Sequence, residues 1–154
     1  MPLRNLNEDF RDLLLAFADG NVEFVIVGAF AVAYHGVPRG TGDMDVFVKA
    51  SPDNSRRVFG ALVRFGAPLE SAGVKPEDFE TPGMVYQIGQ PPRRIDVLTE
   101  ISGVSFEEAW ATRRTTEIQG RSVAFIGRDE LLRNKEATGR PKDLADLSRL
   151  KKRP

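Results

Sequence analysis

The sequence predicts an α/β (α+β) fold: a mixed β-sheet with helices packed on it, closed by a C-terminal helix pair. Three observations lead there. Short runs rich in Val, Ile and Phe ("VEFVIVG", "DMDVFV", "RRIDVLT") alternate with stretches of helical periodicity. The order of helices, strands and hairpins lacks the regular strand–helix–strand cadence of a doubly wound sheet. With 154 residues and 41% hydrophobic content, the chain suffices for one domain with a real core, 1–154, and is too short for two. The core is expected over about 20–100 and the closing helices over about 127–152.

Taken in order, Phe10, Leu13, Leu14 and Phe17 fall at i, i+3, i+4 and i+7, with Glu8 and Asp9 at the start and Gly20 beyond the end, which predicts an amphipathic helix. "VEFVIVG" is continuously apolar and stops at Gly28, as a central strand covered on both faces would. "AFAVAYH" reads as a short helix, "GVPRGTG" as a loop, and "DMDVFV" as the next strand. Ser51 as cap, Pro52 at the first position and Gly66 at the end frame a helix with Val58, Leu62 and Phe65 on one side. "KPEDFETPG" reads as irregular. "MVYQI" and "RRIDVLT" flank "GQPP" as a hairpin, "FEEAWATR" is a short helix, and "TTEIQGRSVAFI" is a further hairpin turning at Gly120-Arg121. "RDELLRNKEATG" and "PKDLADLSRLKK" are the last two helices, separated by Gly139 and opened by Pro141.

Composition narrows the chemistry. The chain has no cysteine, which excludes thiolate nucleophiles, disulfides and cysteine-ligated zinc, and its single histidine, His35, argues against histidine-built metal sites. Any metal must be held mainly by oxygen. No apolar run reaches transmembrane length, and "MPLRNLNEDF" lacks the features of a secretory signal, so a cytoplasmic protein without membrane attachment is expected. Acidic and basic residues balance at 22 each, but unevenly: 16 acidic and 10 basic up to Trp110, then 6 acidic and 12 basic from Ala111. A basic C-terminal face could approach phosphates while the acidic part holds cations; the tail "SRLKKRP" reads equally as a solvated end. No G-x-G-x-x-G follows a strand and no G-K-[ST] occurs, which sets aside dinucleotide-binding and P-loop readings.

The residues that carry chemistry are aspartates. Asp43 and Asp45 are two apart on a strand, so they project together while Met44 and Val46 face the core. Two carboxylates about 4 Å apart repel by on the order of 4 kcal/mol at an effective dielectric near 20 unless they share a proton or a cation. Asp96, between Ile95 and Val97, is a third candidate if its strand lies beside "DMDVFV". Three carboxylates and no histidine suit one or two magnesium ions, with nucleotide phosphates completing the shell. A plainer arrangement uses Asp43 as an N-cap and pairs Asp96 with Arg93, Arg94 or another arginine. The three aspartates together favour the metal site. Gly28, where a strand turns straight into a helix, leaves free backbone N–H groups to which a phosphate could come close; a tight turn alone would also explain it.

These residues resemble the nucleotidyltransferase fold of the polymerase β superfamily, in which a strand ends in Gly-Gly or Gly-Ser and Asp-hydrophobic-Asp and hydrophobic-Asp-hydrophobic strands supply metal ligands. Here the counterparts are Val27-Gly28-Ala29, Asp43-Met44-Asp45 and Ile95-Asp96-Val97. "HGVPRGTGDMDVFV" and "LLRNKEATGRPKDLADLSRL" look in particular like the small bacterial AbiEii and MenT-like toxin groups. The resemblance implies Asp43, Asp45 and Asp96 as metal ligands for Mg2+ (one or two ions, or Mn2+), with Asp96 also as base for an acceptor hydroxyl. It implies Lys135, Lys142 and Asp143 near the nucleotide, and Arg39 and Thr41 orienting phosphates or fixing their loop. For the two lysines a solvated helix face is the alternative, and for Arg39 a structural salt bridge; His35 is expected as a helix-end residue. The implied activity is transfer of a nucleoside monophosphate from a nucleoside triphosphate such as ATP to an acceptor, tRNA or protein, with a homodimer or a toxin–antitoxin partner as possible context. Ala29 departs from the pattern, because a methyl group cannot bond a phosphate as a serine hydroxyl can. That departure keeps a non-catalytic antitoxin or regulatory nucleotide-binding module as the alternative.

Overall fold

The computed structural model describes residues 6–38 and 42–153. Local signals set most element ends. Helix α1 (Glu8–Asp19) starts where the Asn7 side chain accepts the Phe10 N–H at 2.9 Å, and buries Phe10, Leu13, Leu14 and Phe17. Strand β1 (Phe24–Val27) is buried at every position and runs directly into α2 (Gly28–Tyr34). After β2 (Met44–Val48), helix α3 (Pro52–Phe65) is capped by the Ser51 hydroxyl and ended by Gly66 at φ 92°. The segment expected to be irregular holds a 3₁₀ helix, Pro76–Glu80, because Phe79 is fully buried there and the Asp78 side chain accepts the Lys75 N–H at 2.8 Å.

The remaining elements are β3 (Val85–Ile88), β4 (Ile95–Leu98), α4 (Phe106–Ala111), β5 (Arg114–Ile118), β6 (Arg121–Phe125), α5 (Arg128–Thr138) and α6 (Pro141–Lys151). The last hairpin turns at Gln119-Gly120, both at positive φ, one residue earlier than predicted. Ile118 and Arg121 pair directly, leaving a two-residue loop of the kind whose twist matches the strands. Among the described residues no helix is long and apolar enough to cross a membrane.

The six strands form one mixed sheet in the order β3-β4-β2-β1-β6-β5. β1 pairs antiparallel with β2 and parallel with β6, and β2 pairs parallel with β4. Strand alternation then sorts the side chains. Ile26, Val46 and Val97 share one face, on which Phe17 of α1 meets Phe24 edge-on at 5.5 Å. Asp45, Phe47 and Asp96 share the other, where Phe47 meets Phe106 of α4 at 5.2 Å. The carboxylates therefore stand at the end of a face whose continuation is an aromatic core.

One buried polar side chain fastens the two central strands. Asn54, fully buried on α3, accepts the Glu23 N–H at 2.8 Å and donates to the Glu23 and Lys49 carbonyls at 3.1 and 2.9 Å. It ties the start of β1 to the end of β2. Asn54→Ala leaves three partly buried backbone groups without that partner and is expected to cost about 3 kcal/mol. In a domain of this size that lowers Tm by roughly 6–12 °C, measurable by thermal melting.

Candidate active site

Parallel pairing of β2 and β4 places Asp45 opposite Asp96 in register. Two residues 51 positions apart thus come to neighbouring strands roughly 4.8 Å apart, on the same face. Asp43 precedes β2 with the same parity. Its Oδ1 accepts the Arg94 N–H at 3.0 Å, so it is bonded to the segment leading into β4 and not to a helix N-terminus. The aspartates open into a cleft of about 800 Å3, which also takes in Gly28, Ala29, Lys135, Lys142 and Asp143. Arg39 and Thr41 lie outside the described residues. A smaller groove of about 420 Å3, between Asp19 of α1 and the arginines of α3, shares no residue with this cleft.

Gly28 is required here for two reasons. Its φ is +67°, a region L side chains rarely adopt. A Cβ on it would sit 2.2 Å from Asp45 Oδ2 and 3.1 Å from Asp45 Cγ. The close approach that the sequence suggested for a phosphate is, in this structure, the approach of the Asp45 carboxyl itself.

Burial, together with the charge and hydrogen bond of Asp96 and the charge of Asp43, pushes the Asp45 carboxyl up to about 7. Among the described residues no three acidic side chains form a ready ion cage. Instead Asp43 and Asp96 both close on the Arg94 guanidinium, with Nε 2.8 Å from Asp96 Oδ1 and Nη2 3.3 Å from Asp43 Oδ2. The salt-bridge alternative weighed for Asp96 is thus present, and its partner is Arg94. The donor set fits a hard divalent cation: carboxylate oxygens only, a carboxyl destabilised by its acidic neighbours, and a monovalent side-chain cation already drawn to them.

The opposite wall comes from α5 and α6. Lys135 is not on a solvated helix face: it is 7% exposed and lies 3.3 Å from Asp143 and 3.2 Å from Asp146. Asp143 is fully buried, held by Arg140 Nε at 2.6 Å and Nη2 at 3.2 Å. Burial alone would raise its carboxyl, but hydrogen bonds from Arg140, Thr138 and Lys135 hold it well below the usual carboxylate range. Asp143 is therefore an anchor that joins α5 to α6. Lys142 is exposed at the rim. His35 ends α2 and donates through Nε2 to the Ile126 carbonyl at 2.7 Å, away from the aspartates.

These two carboxyls give the fold an acid-shifted stability profile. Asp45 titrates near 7 when folded and near its ordinary value of 3.8 when unfolded, so between these the folded chain keeps a proton the unfolded chain has lost. Stability falls as pH rises across that interval. Asp143 acts oppositely, its depressed folded value giving stability that is lost as pH falls below the ordinary carboxylate range. Chelator-treated protein is expected to melt highest near pH 4–5 on these groups and lower by pH 8, with Asp45→Asn removing most of the fall.

No protein-family model matches the chain, and no curated protein matches it; solved structures do. A candidate nucleotidyltransferase of Thermotoga maritima (TM1012) is similar with TM-score 0.57 and 12% identity, over 97% of this chain and 96% of that one. The lincosamide antibiotic adenylyltransferase LnuA, in a lincomycin-bound structure, is similar with TM-score 0.60 and 14% identity, over 98% of this chain and all of the other. The chain has the nucleotidyltransferase fold, with a mixed six-stranded sheet and six α-helices among the described residues.

Proposed function

We propose that the protein is a metal-dependent nucleotidyltransferase that moves a nucleoside monophosphate from a nucleoside triphosphate to an acceptor hydroxyl, releasing pyrophosphate. The observation that carries this reading is the register of Asp45 with Asp96, beside Asp43, at the floor of an 800 Å3 cleft. Asp43, Asp45 and Asp96 would hold Mg2+ or Mn2+, one ion or two, which when bound supplies positive charge to the triphosphate and lowers the pKa of the acceptor hydroxyl. Asp96 accepts the proton of that hydroxyl. Gly28 gives the Asp45 carboxyl its room, the backbone beside it at Ala29 would receive the phosphate chain, and Lys142 would meet it from the rim. Lys135, positioned by Asp143 and Asp146, keeps a fixed positive charge in the wall. Most of the catalysis is positioning and charge neutralisation.

The motif likeness to AbiEii and MenT-like groups supports tRNA or protein as acceptor. LnuA, an adenylyltransferase of a lincosamide antibiotic, supports a second class of acceptor, a hydroxylated small molecule seated in the same cleft as the nucleotide. A non-catalytic nucleotide-binding module is favoured by Ala29 and by the hold of Arg94 on two of the carboxylates. The full chain, incubated with each α-labelled triphosphate and Mg2+ against tRNA, protein and small-hydroxyl pools, separates these readings. Label is expected in one acceptor pool and absent with Asp96→Asn. Nucleotide binding without transfer to any pool would favour the non-catalytic module.

A further inference from the structure

Arg94 has a place in the site that its sequence position does not announce. It lies two residues before Asp96 and therefore on the same face, and its carbonyl accepts the Met44 N–H at 2.9 Å, which fixes its backbone against β2. All four carboxylate oxygens of Asp43 and Asp96 meet this one residue. The Arg94 N–H donates to Asp43 Oδ1 at 3.0 Å and Nη2 lies 3.3 Å from Asp43 Oδ2. Nε and Nη2 donate to Asp96 Oδ1 and Oδ2 at 2.8 and 3.2 Å. The guanidinium side chain is only 27% exposed, and a guanidinium surrenders water more readily than an ammonium does. A divalent ion needs the same oxygens, and its charge would stand against that of the guanidinium.

We infer that Arg94 is an internal cation that closes the Asp43–Asp96 pair in the metal-free protein and is displaced into the cleft when a divalent ion binds. This rests on the metal-dependent reading above. It makes metal loading an exchange of cations: the resting protein keeps its buried carboxylates neutralised, and binding of metal alone is weakened by the need to evict Arg94. Displaced, the guanidinium lies in the cleft proposed for the triphosphate, where a fork of N–H donors suits phosphate oxygens.

The test is Mn2+ binding to the intact, nucleotide-free chain, followed through the spectrum of free Mn2+, together with melts with and without Mn2+. Arg94→Gln is expected to bind Mn2+ about tenfold more tightly than the parent, to melt lower without metal, and to gain more from Mn2+. Arg94→Lys, which keeps the charge and loses the fork, is expected between them. The gain is expected to vanish when Asp45→Asn is added. Equal or weaker Mn2+ binding by Arg94→Gln, in a chain whose parent binds Mn2+, overturns the inference and leaves the metal reading standing. Should Arg94→Gln not fold without metal, Arg94→Lys decides: a Mn2+-induced rise in Tm no larger than the parent's overturns it. Absence of Mn2+ binding in every chain, with or without a triphosphate, overturns the metal reading and this inference together.

Discussion

Asp45→Asn is expected to lower nucleotidyl transfer by about 10³-fold or more while raising the Tm of the metal-free protein. The two effects have one cause. Asp45 lies against Asp96 and near Asp43, and its carboxyl is pushed up to about 7 because ionising it there is unfavourable. Asparagine keeps the size and removes the charge. At pH 8 the relief is expected to be about 1–3 kcal/mol, or roughly 2–12 °C in Tm. At pH 5, inside the interval where the folded carboxyl keeps a proton that the unfolded one has lost, a smaller gain is expected, and it disappears only below the ordinary value of 3.8. A variant that is more stable and inactive identifies a residue kept for chemistry at the expense of the fold. Retained transfer would remove Asp45 from the mechanism, and a lower Tm at pH 8 would contradict the electrostatics.

Gly28→Ala is expected to damage the same site from the other side. At φ +67° an alanine is strained, and its Cβ would meet Asp45 Oδ2 at 2.2 Å and Asp45 Cβ at 3.3 Å. The carboxyl must swing away or the β1–α2 junction must shift. Together these cost about 2–4 kcal/mol, roughly 4–16 °C in Tm, and transfer is expected to fall at least about 10²-fold because Asp45 leaves register with Asp96. Gly66→Ala is the control. It has φ +92° with nothing within 4 Å of an added Cβ, so it carries backbone strain without touching the site. It is expected to lose stability and keep specific activity in the fraction that remains folded. Equal loss of activity in both variants would mean that Gly28 matters only to folding.

Much of the fold was legible because its signals are local. Ser51 as cap, Pro52, the closing Gly66 and the unbroken apolar run of β1 each act within a few residues, and the structure places them as read. Strand pairing is a different matter. Asp96 could be named as a candidate from its apolar neighbours, but its register with Asp45 depends on a parallel pairing across 51 residues, which no local pattern encodes. Arg94 was readable in part: the same two-residue rule that groups Asp43 with Asp45 groups Arg94 with Asp96. Arg93, equally near in sequence, has the opposite parity. Lys135, Asp143 and Asp146 were not readable as a buried network, because α5 is strongly polar in sequence and only its contact with α6 shows which charges are covered. Asn54 was missed for a similar reason: its partners are backbone groups of Glu23 and Lys49, which sequence patterns do not mark.

The proposed chemistry depends on Asp43, Asp45 and Asp96 gathering to hold a divalent cation. Anomalous scattering from crystals grown with Mn2+ and a non-hydrolysable nucleoside triphosphate tests it most directly. The expected result is a manganese peak bonded to carboxylate oxygens of Asp45 and of at least one of Asp43 and Asp96, with the triphosphate in the same cleft and the Arg94 side chain turned away. A bound triphosphate with no manganese at these carboxylates, and Arg94 still lying across Asp43 and Asp96, would contradict it.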